Sequence, residues 1–473
     1  MFNTLIVLLF ISVGFNSFAQ QIEWITTSRT EPWKVNKYIA ASSASARPDV
    51  TISLNDRRQE IQGFGACFNE LGWTSLEKLA ERDRFEILQE LFAPNFGGNF
   101  TICRMPVGAN DFSTEWYSYD ETPGDFELKN FSISHDLKTL LPFIQSAKIH
   151  NPDLKIWASP WSPPAWMKYN KHYGCAVVSP ELDKQFDNGL KLEQRGKEGT
   201  NMFVQEDAYF KTYAGYFSKF IDAYRNEGIR ISMVMPQNEF NSCQIFPSCT
   251  WTSAGLAKFI GTYLGPEMKK RNVELMFGTM ERPDVKLIDT ILTDAKAQHY
   301  VRGIGFQWGG KNAIAATHQK YPEIQLYQSE QECGDGKNDW NYCVYAWSLM
   351  KHYLEGGANA YMYWNISLEK GGFSRWGWQQ NSLVTVDPVS KMYRLNHEYY
   401  LLKHVSHFVK PGAYLLETRG VFSDLLAFIN PDNSVILVLH NEKTDSQNVT
   451  LTIEGKQYLV LLPADSFSTL KIN

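Results

Sequence analysis

Between about residue 57 and residue 402 the chain repeats one alternation: a segment of helical periodicity, then a short and wholly apolar run. The segment "EDAYFKTYAGYFSKFIDAYRNEG" carries Tyr209, Tyr213, Tyr216, Phe220 and Tyr224 three to four residues apart, which puts them on one helix face. Gly228 then supplies a helix stop, and "IRISMVM" follows as a strand. "VYAWSLMKHYLEGG" followed by "ANAYMYWN" repeats the unit. Counted this way there are eight candidate strands, at 61–64, 101–105, 155–158, 231–235, 274–278, 303–307, 324–328 and 360–364. Apolar runs without alternation are strands covered on both faces, which helices on a parallel sheet provide. Eight such units predict an α/β fold, a (β/α)8 TIM barrel with insertions. A doubly wound sheet is the rival, but no Gly-x-Gly-x-x-Gly loop follows the first strand.

The flanks read differently. After about residue 403, "AYLLET", "LLAFIN", "SVILVLHN", "NVTLTIEG", "QYLVLLP" and "FSTLKIN" are short strands with turn residues between them. They predict an accessory antiparallel β-sandwich over 403–473, joined by two β-like runs at 22–26 and 50–54 within an N-terminal segment 20–56. "AASSASA" at 40–46 reads as a surface loop. The barrel is assigned to 57–402. Residues 1–19 are apolar from Leu5 and end in Ser17-Phe18-Ala19, a signal-peptide core without the usual leading positive charge. Export follows as the expectation, to the periplasm or the exterior, with no membrane span in the mature chain.

A net charge of -5 makes no electrostatic case for nucleic acid or an anionic membrane. Seven cysteines leave at least one thiol unpaired in a monomer. Cys243 with Cys249, and Cys333 with Cys343, could each close a short loop; buried free thiols are the alternative. No C-x-x-C pair suggests zinc.

In a TIM barrel the chemistry sits at the carboxyl ends of the strands. That rule sorts the four Asn-Glu pairs. Asn226-Glu227 lies on the last turn of a helix, and Asn441-Glu442 ends a sandwich strand before the polar "KTDSQ". Asn69-Glu70 and Asn238-Glu239 fall just past barrel strands. Glu330 and Glu332 follow the seventh strand, Glu281 the fifth and Asp111 the second. Paired carboxylates across a barrel mouth suit glycoside hydrolysis, one protonating the leaving oxygen and the other attacking the sugar. Clustered carboxylates also bind metals, but the ten histidines lie mostly away from strand ends. Spacing alone does not choose between Glu330 and Glu332, because residues two apart share a strand face.

Aromatic side chains favour a sugar. Of 14 Trp, three fall in "WASPWSPPAWMK" at 157, 161 and 166, and Trp308, Trp364, Trp376 and Trp378 follow the sixth and eighth strands. Trp157 is explained by the core; the loop residues are better explained as flat apolar walls for pyranose rings.

Six motifs in order carry a family resemblance: "QGFGACFNELGW", "RMPVGANDFS", "ASPWSPPAWMK", "MPQNE", "YQSEQECG" and "YWNISLEKGG". Together they resemble glycoside hydrolase family 30, the family of glucosylceramidases and β-1,6-glucanases, over about residues 62–402. The resemblance implies that Glu239 is the general acid/base and Glu330 the nucleophile of a retaining double displacement. It implies that Asn238 binds the hydroxyl beside the anomeric carbon, that Arg104 supports the nucleophile, and that Glu70, Trp161, Trp308 and Trp364 line the sugar subsite. It favours Glu330 over Glu332. Two positions depart from the family: Glu70 stands where glucosylceramidases usually have Asp, and Gln307 where many members have His.

The implied activity is hydrolysis of β-linked glucosides, β-1,6-glucan first, with a glucosylceramide-like glucoside or a β-xyloside as runner-up. Such chemistry requires no metal or organic cofactor; the partner is the carbohydrate substrate. A non-catalytic carbohydrate-binding protein on an inactive barrel is the alternative of another class.

Overall fold

The computed structural model describes residues 22–36, 40–41 and 47–473. The expected signal segment 1–19 lies outside the described residues, as do residues 42–46 of the expected loop. A closed barrel of eight parallel strands forms the centre. We number the barrel strands β1 (Gly63–Cys67), β2 (Ile102–Pro106), β3 (Lys155–Ser159), β4 (Ile231–Val234), β5 (Glu274–Met280), β6 (Val301–Gln307), β7 (Gln325–Glu330) and β8 (Ala360–Asn365). They are the eight apolar runs of the sequence. β8 pairs with β1 in parallel, Ala360 opposite Gly63 and Met362 opposite Gly65, which closes the ring and excludes the doubly wound alternative.

The glycines of β1 explain how the ring closes so tightly. A Cβ on Gly65 would stand 1.8 Å from the Ile102 carbonyl oxygen, so only hydrogen fits where β1 meets β2. Outside the ring, the helix Asp207–Asn226 buries Tyr213, Tyr216, Phe220 and Tyr224, the face read from their spacing.

The second body is a sheet of ten strands drawn from both ends of the chain. Ile22–Ser28 pairs along its whole length with the C-terminal Ser466–Ile472. Val50–Ile61 pairs antiparallel with Ala413–Gly420 and, contrary to the purely antiparallel expectation, parallel with Gln447–Ile453. This strand also extends through residues 57–61, which the periodicity assigned to the barrel. The charged stretch "NDRRQE" has no apolar alternation to mark it; backbone pairing holds it in the sheet, together with side-chain bonds such as Gln59 Nε2 to the Leu354 carbonyl and Arg58 to Glu417. Gly63, at φ 150°, begins β1 directly afterwards.

The wholly apolar strands of this sheet have a specific cause. In Val435–Asn441 every residue is buried. Val435, Leu437 and Leu439 point into the core between the sandwich layers, whereas Ile436 and Val438 point into the barrel core. Leu425–Ile429 alternates in the same way. Each such side chain contributes about 1.5–3 kcal/mol. A polar link lies at the same seam. His404, on the helix His397–Ser406, bonds Thr469 Oγ1 through Nδ1 and Thr27 Oγ1 through Nε2, each over 2.8 Å. The Thr469 hydroxyl donates to the His404 carbonyl, so Nδ1 must carry the ring proton and Nε2 accepts from Thr27.

All seven cysteines are free thiols; six are buried and Cys243 is partly exposed. Of the two readings, neither short disulfide is closed. Among the described residues no helix is long and apolar enough to cross a membrane.

Candidate active site

A cavity of about 470 Å³ opens at the carboxyl ends of the strands, walled by Trp161, Phe246, Trp308 and Trp378 and floored by Asn238, Glu239, Glu330 and Asp111. A larger hollow, about 660 Å³, lies at the opposite mouth of the barrel. Its carboxylates Glu60, Asp153 and Glu274 are exposed beside Lys155 and Arg230, an ordinary solvated rim.

Glu239 stands five residues past the end of β4 with φ 44°, a left-handed backbone that costs a residue with a side chain about 1–2 kcal/mol. Surrounding hydrogen bonds hold it there. Its N–H donates to Thr279 Oγ1 over 2.9 Å, the Asn238 N–H to the Pro160 carbonyl over 2.7 Å, and the Thr279 N–H to the Gln237 carbonyl over 2.7 Å. Three neighbouring strand ends thus fix the direction of one side chain. Glu330 needs no such device, being the last residue of β7.

Two residues connect the glutamates. Arg104, fully buried on β2, donates from Nη1 to Glu330 Oε2 over 2.8 Å and from Nη2 to Asn238 Oδ1 over 2.7 Å. Its guanidinium is held from behind by Ser159 Oγ at 2.8 Å and lies 4.4 Å from the centre of the Trp161 ring. Gln307, at the end of β6, accepts at Oε1 from Ser329 Oγ over 3.0 Å, which fixes the amide orientation. Its Nε2 then faces the cavity floor, 3.2 Å from Glu239 Oε1 and 3.2 Å from Glu330 Oε2. One nitrogen spans both carboxyls.

Burial pushes both carboxyls above the usual range, since removing water disfavours charge. At Glu330 the Arg104 guanidinium opposes that push; at Glu239 the main opposing group is the neutral Gln307 amide. Asn238 Oδ1 accepts from Arg104, Gln307 and Thr279, which leaves its amide hydrogens for the cavity.

The candidate residues read from the sequence separate into two groups. Asn238, Glu239, Glu330, Trp161 and Trp308 meet in the cavity, and Arg104 lies directly beneath. Trp364 stacks behind Trp161 with ring centres 5.4 Å apart, its indole N–H buried and without a partner. Glu70 is elsewhere, a correction to its expected place in the subsite. Its carboxylate is fully buried and committed to the Thr139 hydroxyl at 2.7 Å, His135 Nε2 at 2.7 Å and the Thr114 N–H at 3.0 Å. The neighbouring Asn69 faces inward instead, toward Asn365 and Asn110. Glu332 also turns away, to Lys311 Nζ at 2.6 Å and the Tyr345 hydroxyl at 2.8 Å. Trp166 is structural, donating to the Asp120 carbonyl.

Asp111, Glu281, Gln244 and Trp378 also line the cavity. Asp111 and Glu281 already stood out as carboxylates after strands, and Trp378 as a loop aromatic suited to a sugar; Gln244 lies in a long loop where sequence gives no direction for a side chain. Among the described residues no cluster of His, Cys, Asp and Glu is arranged to hold a metal ion.

A closed barrel with two buried, bridged glutamates at its mouth is the architecture of a glycosidase. The glycosyl hydrolase family 30 TIM-barrel domain matches residues 61–183 and 190–409, and the family 30 beta sandwich domain matches 423–470. The chain belongs to glycosyl hydrolase family 30. It is 26% identical to the lysosomal acid glucosylceramidase of Mus musculus over 434 residues, 85% of this chain and 79% of that one. It is also 26% identical to the endo-1,6-beta-D-glucanase neg1 of Aspergillus fumigatus over 451 residues, 89% of this chain and 86% of that one. The solved endo-β1,6-glucanase BT3312 shares the fold with a TM-score of 0.79 at 23% identity, covering 95% of this chain and 99% of that one.

Proposed function

We propose that the protein hydrolyses β-linked glucosides with retention, Glu330 acting as nucleophile and Glu239 as general acid/base. The observation that carries this is the Gln307 amide nitrogen, 3.2 Å from an oxygen of each carboxyl. Those oxygens are therefore no farther apart than twice that distance. Inverting enzymes need about 6.5–9.5 Å between carboxyls to admit a water, whereas retaining ones work at about 5–5.5 Å.

In the proposed first step Glu330 reacts as the carboxylate, which its bond to the buried Arg104 guanidinium favours, and Glu239, raised by burial, carries the proton. Glu330 Oε attacks the anomeric carbon as the bond to the leaving oxygen breaks, and Glu239 gives that oxygen its proton. Water then attacks the glycosyl-enzyme, loses a proton to Glu239 and releases Glu330. The amide hydrogens of Asn238 are free for the hydroxyl beside the reacting carbon. Trp308 and Trp161 supply flat walls, and the unpartnered Asp111 carboxyl oxygen, in the cavity lining, is placed for a sugar hydroxyl.

The substrate we infer is β-1,6-glucan, supported by the fungal endo-1,6-beta-D-glucanase relative. Incubation with β-1,6-glucan, glucosylceramide and an aryl β-xyloside, with early products read by NMR for anomeric configuration, tests both claims. Release of β-configured gluco-oligosaccharides from β-1,6-glucan is expected. An α-configured first product overturns retention, and turnover of glucosylceramide alone overturns the substrate. Glu239→Ala should regain turnover of an activated aryl glucoside with azide, giving a β-glycosyl azide; no rescue would remove Glu239 from the acid/base role. The apolar segment at 1–19 supports export, which fits action on a polysaccharide.

A further inference from the structure

One carboxyl in the cavity is unused by this mechanism. Glu281 follows Met280, the last residue of β5, and is 2% exposed. Its Oε1 accepts the Asn241 N–H over 3.1 Å, while Oε2 is buried with no hydrogen-bond partner. The residue lines the same cavity as both catalytic candidates. β5 lies between β4 and β6, so Glu281 is beside Glu239 and two strands removed from Glu330 on β7.

Burial, with the Glu239 carboxyl adding to it, pushes Glu281 up to about 8. At neutral pH it is mostly the neutral acid, and an acid carries one O–H donor. Arg282, which also lines the cavity and opposes that push, is paired with Glu198 at 2.7 Å. A buried donor without an acceptor is unfavourable until a ligand supplies one. In a displacement at the anomeric carbon the departing group leaves on the face away from the nucleophile, hence away from Glu330 and past Glu239. Strand order puts Glu281 on that side of the cavity, next to Glu239 and two strands from Glu330.

We propose that Glu281 is a binding residue for the departing sugar, donating a hydrogen bond to one of its hydroxyls and so favouring a glycosyl leaving group over an aryl or lipid one. This rests on the assignment of Glu239 as proton donor.

The test compares kcat/KM for a β-1,6-linked gluco-oligosaccharide with that for an aryl β-glucoside, in wild type, Glu281→Ala and Glu281→Gln. Loss of one neutral hydrogen bond should lower the oligosaccharide-to-aryl ratio about tenfold in Glu281→Ala. Glu281→Gln, which keeps a donor, should restore most of the ratio. An unchanged ratio overturns the proposal, and so does an equal fall on both substrates, which would mean that Glu281 acts only through Glu239. Should Glu281→Ala not fold, acceptor transfer decides. Glucose should accelerate turnover of a trapped fluoroglycosyl-enzyme in wild type and Glu281→Gln, and absence of acceleration in wild type overturns the idea. Failure of the underlying assignment is separately visible, as undiminished oligosaccharide cleavage by Glu239→Gln.

Discussion

Arg104 and Glu330 form a buried ion pair, Nη1 to Oε2 at 2.8 Å, with neither partner meaningfully exposed. Removing one partner of such a pair leaves an uncompensated charge, typically at a cost of about 3–5 kcal/mol. For Arg104→Gln we expect kcat to fall at least about a hundredfold. Without the guanidinium the Glu330 pKa rises, so the acidic limb of kcat/KM against pH should move upward. A limb that stays in place would mean that Arg104 does not support this carboxylate.

Gln307 acts on the other member of the pair. Its amide holds the Glu239 carboxylate down against burial. In Gln307→Leu the Glu239 pKa should therefore rise, moving the basic limb of the profile to higher pH. The accompanying fall in kcat should be about tenfold or more, the value of a buried hydrogen bond to an ionisable group. Activity profiles from pH 4 to about 10 check the direction of the shift.

Glu332 separates position in sequence from position in space. It is bound to Lys311 and Tyr345 rather than facing the cavity. Glu332→Gln should keep turnover within about threefold of wild type, as expected for a change outside the reacting geometry. Glu330→Gln should lose about a thousandfold or more. The reverse ranking would reassign the nucleophile.

His404 makes stability depend on pH. Burial pushes its pKa down to about 3, against an unfolded value near 6.5. As pH falls through that window the unfolded chain takes the proton first, so the contribution of neutral His404 is complete above about 6.5 and is lost towards 3. His404→Gln cannot titrate. The Tm difference between wild type and this variant should therefore shift against wild type between pH 7 and 4, by an amount corresponding to a few kcal/mol. Parallel Tm curves would exclude the linkage.

The barrel was legible in the sequence because its strands are buried on both faces and read as unbroken apolar runs. Glu239 and Glu330 were legible because each follows such a run. Glu70 met the same criterion, yet its carboxylate turns back to His135 and Thr139; direction after a strand end depends on loop backbone that no periodicity encodes. Gln307 attracted notice only as a departure from the family, whereas its two contacts depend on Ser329 fixing the amide. Residues 57–61 were misplaced because charged positions in a strand leave no apolar pattern; backbone pairing and side-chain bonds to distant loops hold them, and periodicity encodes neither.

The strand Val435–Asn441 has two insides and no outside. Hydrophobic side chains that would normally be the protected interior of a sandwich are, one residue on, the outer lining of the barrel. The C-terminal sheet is therefore a shared wall and not a detachable module. A barrel cut free after the helix His397–Ser406 would present Leu426, Phe428, Ile436 and Val438's vacated sockets to water, and a sandwich grafted from elsewhere would have to match them residue by residue. In this architecture the catalytic and accessory parts can be altered only together.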